Sequence, residues 1–250
     1  MPGVKAYWRS LAMAAGAALI GTLVLGAYAV HRLGGPRYTA HRLYTISAWP
    51  AYTQRESQLD VLPKPTASSV VLLGDSHVAY GQWDELLPGC RVSNRGVPGE
   101  GIDGVASNFE RLVPSPPLAL VLQVGTNDLL FHDPQEALRR YEALLQGALG
   151  KYHDRLYVCT LPGVSNEVRW TGIEADDVAQ LNAGLLALAT RLGVQVLDLG
   201  AALGSVEGRL PSSLSDDGVH LRGSGYLAWA KLLAEHLPCG TTFDPSARAN

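Results

Sequence analysis

The sequence predicts an α/β fold, a three-layer α/β/α sandwich built on a five-stranded parallel sheet. From residue 70 to residue 237, five short apolar segments alternate with segments that have helical spacing. Most of the strand segments are hydrophobic throughout rather than at every second position, which is typical of parallel strands covered on both faces. The simplest arrangement for this alternation is a flavodoxin-like sheet with right-handed crossovers.

The predicted strands are short and mostly apolar. They are Val70–Leu73, Cys90–Ser93, Leu118–Val124, Leu156–Thr160 and Val194–Leu199. The predicted helices place apolar residues three or four positions apart, and Pro134 suits the first turn of one of them. They are Gln82–Leu87, Ile102–Val113, Pro134–Leu149, Ala175–Leu192 and Gly223–Leu237.

The first thirty residues predict a signal peptide or a transmembrane signal anchor. Residues 11–30 contain no charged residue, and about 20 apolar residues are enough to span a bilayer. Lys5 and Arg9 precede this run, and the small residues around Ala29 suit a cleavage site. We therefore expect a membrane-anchored or secreted protein whose domain lies outside the cytoplasm, with cleavage and retention both open.

Residues 31–68 predict a juxtamembrane connector, followed by the folded domain at 69–240 and a tail at 241–250. Four prolines interrupt the connector, and Ser57–Leu62 has no clear period, so it is free to lie against the domain but we expect no core role for it. The net charge of −3 and the lack of a basic cluster argue against a nucleic-acid partner. The sequence leaves the oligomeric state open.

Polar residues follow several of the predicted strands. The first strand ends in Gly-Asp-Ser-His at 74–77, and the second runs into Asn-Arg-Gly-Val-Pro-Gly-Glu at 94–100. The third ends in Gly-Thr-Asn-Asp at 125–128, and Asp-Gly-Val-His at 217–220 precedes the last helix. Because the carboxyl ends of parallel strands meet at one edge of the sheet, we expect these four blocks to converge there.

The four blocks, in this order, resemble those of the SGNH or GDSL hydrolase family, and the resemblance spans the whole proposed domain. It implies an ester hydrolase in which Ser76 is the nucleophile. Gly99 and Asn127 would help Ser76 to form the oxyanion hole, and Asp217 and His220 would complete the triad. The resemblance implies no metal or organic cofactor.

Elementary chemistry supports these roles. A serine hydroxyl becomes a good nucleophile only when a base takes its proton, and histidine titrates nearest to neutral pH. Asp217 lies three residues before His220, so it can turn back to the same imidazole and fix its tautomer. The tetrahedral oxyanion needs preset donors, for which the Ser76 and Gly99 N–H groups and the Asn127 amide are candidates.

Two of these assignments have a rival nearby in the sequence. Gly96 competes with Gly99 as an oxyanion donor, and the spacing from Asn94 favours Gly99. Asp216 competes with Asp217, and the Asp-x-x-His spacing favours Asp217.

Four further residues near these blocks have two interpretations each. The family most often has Leu where this chain has His77, which is either a partly exposed loop histidine or a substrate contact. Arg95 is either a solvated loop residue or a contact to an anionic substrate, and Asp128 either caps the following helix or reacts. Trp170 lies in a long loop and either packs on the domain or contacts a sugar or acyl group.

The function that we expect is a serine esterase acting on a small-molecule, glycan or lipid ester. No long apolar lid segment is visible, which favours short acyl groups such as acetyl. An O-acyltransferase would use the same residues and pass the acyl group to another hydroxyl. A non-catalytic binding module on the same fold is the third class, since fold alone does not define function.

The three cysteines suggest one disulfide. Cys159 falls within the fourth strand and is expected to be a buried thiol. Cys90 opens the second strand and Cys239 follows the last helix, so a sheet order of 2-1-3-4-5 puts both at the amino edge. They are then either bridged, as an oxidising compartment permits, or two unrelated reduced thiols.

Overall fold

The computed structural model describes residues 50–169 and 171–239, together with residues 8, 13, 15, 16 and 18–28. The chain divides into two compact units, Met1–Ile46 and Ser47–Asn250. In the first unit, residues 18–28 are helical and exposed. Among the described residues, no helix is long and apolar enough to cross a membrane. Part of the predicted span at 11–30 lies outside those residues. The proposed tail at 241–250 and Trp170 lie wholly outside them.

The second unit is built on the predicted five-stranded parallel sheet. Its strands are β1 (Ser69–Gly74), β2 (Arg91–Gly96), β3 (Ala119–Gln123), β4 (Leu156–Cys159) and β5 (Gln195–Leu197). All neighbouring pairs are parallel, and the order is β2-β1-β3-β4-β5. This is the order that the flavodoxin-like prediction requires.

Helices cover the sheet on both faces. They are α1 (50–61), α2 (Ser76–Tyr80), α3 (Trp83–Leu86), α4 (Ile102–Leu112), α5 (Pro134–Tyr152), α6 (Ala175–Leu192), α7 (Leu199–Ala202) and α8 (Gly223–His236). Strand β1 shows the layering, because Val71 and Leu73 belong to one apolar core and Val70 and Leu72 to a second one on the opposite face. The predicted α/β/α sandwich is therefore confirmed.

The second half of the predicted connector is part of the domain. Residues 50–61 form α1, and Leu59 is only 1% exposed and lies within the first core. From the same helix, the Arg55 guanidinium donates to the backbone carbonyls of Asn94 and Gly96 at the end of β2. The expectation of no core role for 31–68 is wrong here, because Leu59 enters the core and long-range polar contacts, including ion pairs from Glu56 and Asp60 to Arg111, also dock the helix.

Cys90 and Cys239 form a disulfide, with their Cα atoms 5.2 Å apart. The bond joins the loop before β2 to the residues that follow α8. Cys159 is a buried free thiol in β4, as predicted. Of the two possibilities left open by the sequence, the structure contains the bridge.

Candidate active site

A sharp turn between β1 and α2 presents Ser76. A Cβ atom on Gly74 would lie 1.7 Å from the carbonyl oxygen of Gln123 in β3, so only glycine fits. The Asp75 carboxylate then accepts the backbone N–H of His77 at 2.9 Å and caps the helix that begins at Ser76. The Ser76 N–H, at the first helical position, has no acceptor within the helix.

The loop before α8 brings a histidine and an aspartate to this serine. His220 Nε2 lies 2.9 Å from Ser76 Oγ, and His220 Nδ1 lies 2.6 Å from Asp217 Oδ2. Oδ1 of Asp217 accepts the backbone N–H groups of Val219 and His220, so the loop folds around the carboxylate. The three residues predicted from the sequence therefore form one hydrogen-bonded chain.

The carboxylate of this chain is held in its ionised form. Partial burial raises the pKa of Asp217, but the hydrogen bonds from the His220 ring and from two backbone N–H groups outweigh it. The net pKa lies well below the ordinary value. An ionised Asp217 fixes the proton of His220 on Nδ1 and leaves Nε2 free to accept the serine proton. Asp216 takes no part, since it is exposed and pairs with Arg222.

The structure also separates the two candidate glycines. The Gly96 N–H is already used, because it donates to Asn94 Oδ1 at 3.0 Å. A Cβ atom on Gly96 would lie 2.3 Å from the backbone nitrogen of Ala79, so this glycine allows β2 to approach α2. Gly99 has a φ of +82° and open space beside its Cα. These contacts favour Gly99 as the donor.

Asn127 lies in the loop after β3 and is tied to the Gly99 loop. Its Nδ2 donates to the carbonyl oxygen of Glu100 at 2.8 Å. This bond uses one amide hydrogen and fixes the side chain, and the second amide hydrogen is a candidate donor to an oxyanion.

Helix α1 contributes a contact to this loop that the sequence did not suggest. The Tyr52 hydroxyl donates to the Glu100 carboxylate at 3.2 Å, and the Glu100 side chain also accepts the Gly101 N–H. Burial raises the pKa of Glu100 above its ordinary value. The contact joins residues 48 positions apart, so no local pattern could have indicated it.

Two of the residues with open interpretations have structural roles. Arg95 is 4% exposed and donates to the Pro63 carbonyl at 2.6 Å, so the expectation of a solvated loop arginine is wrong. Asp128 accepts the Ile102 N–H at 3.1 Å. It therefore caps α4, the helix before it in the sequence, rather than the following one.

His77 is 1% exposed, so the interpretation as a partly exposed loop histidine is also wrong. Its ring centroid lies 5.8 Å from that of His220, and the ring centroid of Tyr80 lies 5.2 Å from that of His220. In the described part of the chain, no group of three or more His, Cys, Asp or Glu residues could hold a metal ion.

The sequence matches the family model of the GDSL-like lipase/acylhydrolases over residues 72–228. The chain belongs to this family. It is accordingly an ester hydrolase, and the matched region extends from β1 into α8. No curated protein matches the chain significantly.

Several solved structures share the fold. One is a protein from Streptococcus pneumonia described as a candidate platelet activating factor, with 21% identity, a TM-score of 0.66, and coverage of 79% of this chain and 97% of that one. A GDSL-like lipase from Bacteroides thetaiotaomicron has 19% identity and a TM-score of 0.61, covering 74% and 95%. An acetyl xylan esterase has 22% identity and a TM-score of 0.57, covering 67% and 98%. At these identities the likeness shows the fold.

Proposed function

We propose that this GDSL-family hydrolase is a serine esterase that removes short acyl groups, such as acetyl, from a glycan or lipid through an acyl-enzyme on Ser76. The observation that supports the proposal most directly is the hydrogen-bonded chain from Ser76 Oγ through the His220 ring to the Asp217 carboxylate. This arrangement supplies a nucleophile, a base and the group that orients the base.

The proposed reaction proceeds in two halves. His220 Nε2 takes the Ser76 proton while Oγ bonds to the acyl carbon, and the same proton then passes to the departing alcohol. Water next attacks the acyl-serine while His220 removes its proton. His220 then returns that proton to Ser76 Oγ as the Oγ–carbon bond breaks, which releases the carboxylic acid and the free serine. Asp217 stays ionised throughout and stabilises the imidazolium that forms in each half.

The proposed oxyanion hole collects donors from three loops. The N–H of Ser76 comes from the start of α2, the N–H of Gly99 from the loop after β2, and Asn127 Nδ2 from the loop after β3. All three loops leave the carboxyl end of the sheet, where ligands bind in open α/β folds. Preset donors of this kind stabilise the transition state more than the bound ester.

Two observations support a short acyl group on a glycan as the substrate. No long apolar lid segment is visible in the sequence, which favours short acyl groups over long ones. An acetyl xylan esterase is among the structural neighbours, which supports an acetylated glycan.

The test is a panel of p-nitrophenyl esters of increasing chain length, run beside acetylated polysaccharides. We expect the highest kcat/KM for acetyl or propionyl esters and release of acetate from a glycan. Ser76→Ala is expected to remove nearly all turnover, while Ser107→Ala, on the exposed face of α4, keeps it. Full activity in Ser76→Ala would refute the mechanism. Acyl transfer to a sugar hydroxyl in place of water would instead identify an acyltransferase.

We also propose that the domain works outside the cytoplasm, either anchored or secreted. Lys5 and Arg9 before the apolar run at 11–30 support this, as does the Cys90–Cys239 disulfide, which persists in oxidising compartments. Cell fractionation and intact mass of the full-length protein test it. We expect membrane partitioning or cleavage near Ala29, and an uncleaved protein confined to the soluble cytoplasm would contradict it.

A further inference from the structure

One buried histidine connects the two loops that carry the proposed triad. The Nδ1 atom of His77 lies 3.1 Å from Asp75 Oδ1, in the residue before Ser76. Its Nε2 atom lies 3.0 Å from the carbonyl oxygen of Val219, in the residue before His220. The His77 imidazole thus bridges the turn that carries Ser76 and the loop that carries His220.

The partners of this ring determine its protonation state. The Val219 carbonyl has no proton to give, so Nε2 must be the donor in that hydrogen bond. Asp75 Oδ1 accepts the His77 backbone N–H at 2.9 Å, and the same oxygen faces Nδ1 at 3.1 Å as an acceptor. Nδ1 must then donate as well, because an unprotonated nitrogen facing a carboxylate would be repelled. His77 is therefore an imidazolium ion, paired with Asp75.

The surroundings of the ring agree with this charge. Complete burial lowers the pKa of His77, but the Asp75 charge, the two hydrogen bonds and the more distant Asp217 charge outweigh it, and the net pKa is raised. Two other titratable side chains contact this residue, and one is His220, whose ring centroid lies 5.8 Å from that of His77. Tyr226, on α8, donates its hydroxyl to the His77 carbonyl oxygen at 2.9 Å.

The hydrogen bonds inside the loop that carries Asp217 and His220 do not determine how far this loop lies from Ser76. Asp217 accepts hydrogen bonds from residues 219 and 220, and Ser215 pairs with Leu221, so these contacts fix the loop's shape. The Ser165 N–H donates to the Gly218 carbonyl at 2.8 Å, which holds the other side of Asp217, and the Asp217 and His220 side chains remain 43% and 27% exposed. The bond from His77 to the Val219 carbonyl joins this loop to the turn of the nucleophile.

We propose that His77 is a positioning residue. As a buried imidazolium paired with Asp75, it donates a hydrogen bond to the Val219 carbonyl and thereby sets the distance between His220 and Ser76. The inference rests on the proposed roles of Ser76 and His220. His77 does not touch the reacting atoms, so it acts through the Val219 carbonyl. Small misplacements of catalytic groups are costly, since a shift of about 1 Å can lower a rate about 100-fold.

Two neutral variants of similar polarity separate this role from a merely structural one. In His77→Gln the amide nitrogen reaches about as far as Nε2 and can still donate to Val219. In His77→Asn it reaches only as far as Nδ1, so the bond to Asp75 remains and the bond to Val219 is lost. Both variants remove the same charge, which makes each a control for the stability of the other.

The first measurement is kcat and KM for the best p-nitrophenyl ester. We expect His77→Asn to lower kcat by roughly 10- to 100-fold with KM nearly unchanged. His77→Gln should recover most of the lost kcat. Equal kcat values in the two variants, at matched folded fractions, would overturn the proposal.

The second measurement does not depend on activity. Side-chain ¹⁵N NMR of the wild-type protein at neutral pH should show both His77 nitrogens protonated, and one protonated nitrogen would overturn the imidazolium. A crystal structure of His77→Asn should show Val219 and His220 displaced from Ser76, and unchanged positions would refute the positioning role. If the wild-type protein shows no turnover that depends on Ser76, the proposed function is refuted. The NMR spectrum and the crystal structure would still decide whether His77 positions the loop.

Discussion

The Cys90–Cys239 disulfide gives a stability prediction whose size follows from its place in the chain. The bond closes a loop with a sequence separation of 149. In the chain-entropy model, a loop of this length removes about 5 kcal/mol of conformational freedom from the unfolded chain. For a domain of this size, 1 kcal/mol corresponds to about 2–4 °C in Tm, so breaking the bond should lower Tm by about 10–20 °C at most.

The assay is thermal unfolding of Cys90→Ala, Cys239→Ala and the double variant under oxidising conditions. Because each single variant already opens the loop, we expect the double variant to lose little more than either single one. Cys159→Ala is the matched control, since it removes a buried thiol and keeps the bridge. Additive losses, or a wild-type Tm that does not respond to a reductant, would refute the loop-closure argument.

Three further predictions concern single side chains. Asn127→Ala should lower kcat by about 10²- to 10³-fold with little change in KM, because the lost donor stabilises the oxyanion. A change in KM alone would make Asn127 a substrate-binding residue. Leu59→Ala should lower the free energy of unfolding by about 2–5 kcal/mol in urea titrations, because it empties a core position, and an unchanged midpoint would mean that α1 is not docked. Burial raises the pKa of Asp128 to about 7, although the Ile102 N–H opposes this. The folded chain then keeps a proton that the unfolded chain releases, so stability falls as pH rises from about 4 to 7. Asp128→Asn should flatten that fall, and identical pH profiles would contradict it.

The core of the fold could be predicted because its signals are local. Apolar strands such as β1 and periodic helices such as α6, whose predicted bounds Ala175–Leu192 match the structure, need no knowledge of distant partners. Strand β2 was predicted too short, because Asn94, Arg95 and Gly96 are polar or small and resemble a loop. Their place in the sheet is stabilised by pairing with β1, up to Gly74 opposite Gly96.

The site was predictable where a residue's own chemistry indicates its role and was not where a distant partner decides it. The family resemblance assigned the triad to Ser76, Asp217 and His220, because each lies in a short motif at the end of an element, and the structure brings them together. His77 was visible in the sequence, but its partner is a backbone carbonyl 142 residues away, which no side-chain motif encodes. The same limit hid the Tyr52 contact to the Gly99 loop.

The central claim is that Ser76 is the nucleophile activated by His220. It is tested most directly by treating the protein with a fluorophosphonate, which bonds covalently to activated serines, and mapping the adduct by peptide mass spectrometry. We expect one adduct per chain, on Ser76, formed far more slowly in His220→Ala and absent in Ser76→Ala. A chain that hydrolyses esters while Ser76 stays unlabelled, or that carries the label on another residue, would contradict the account.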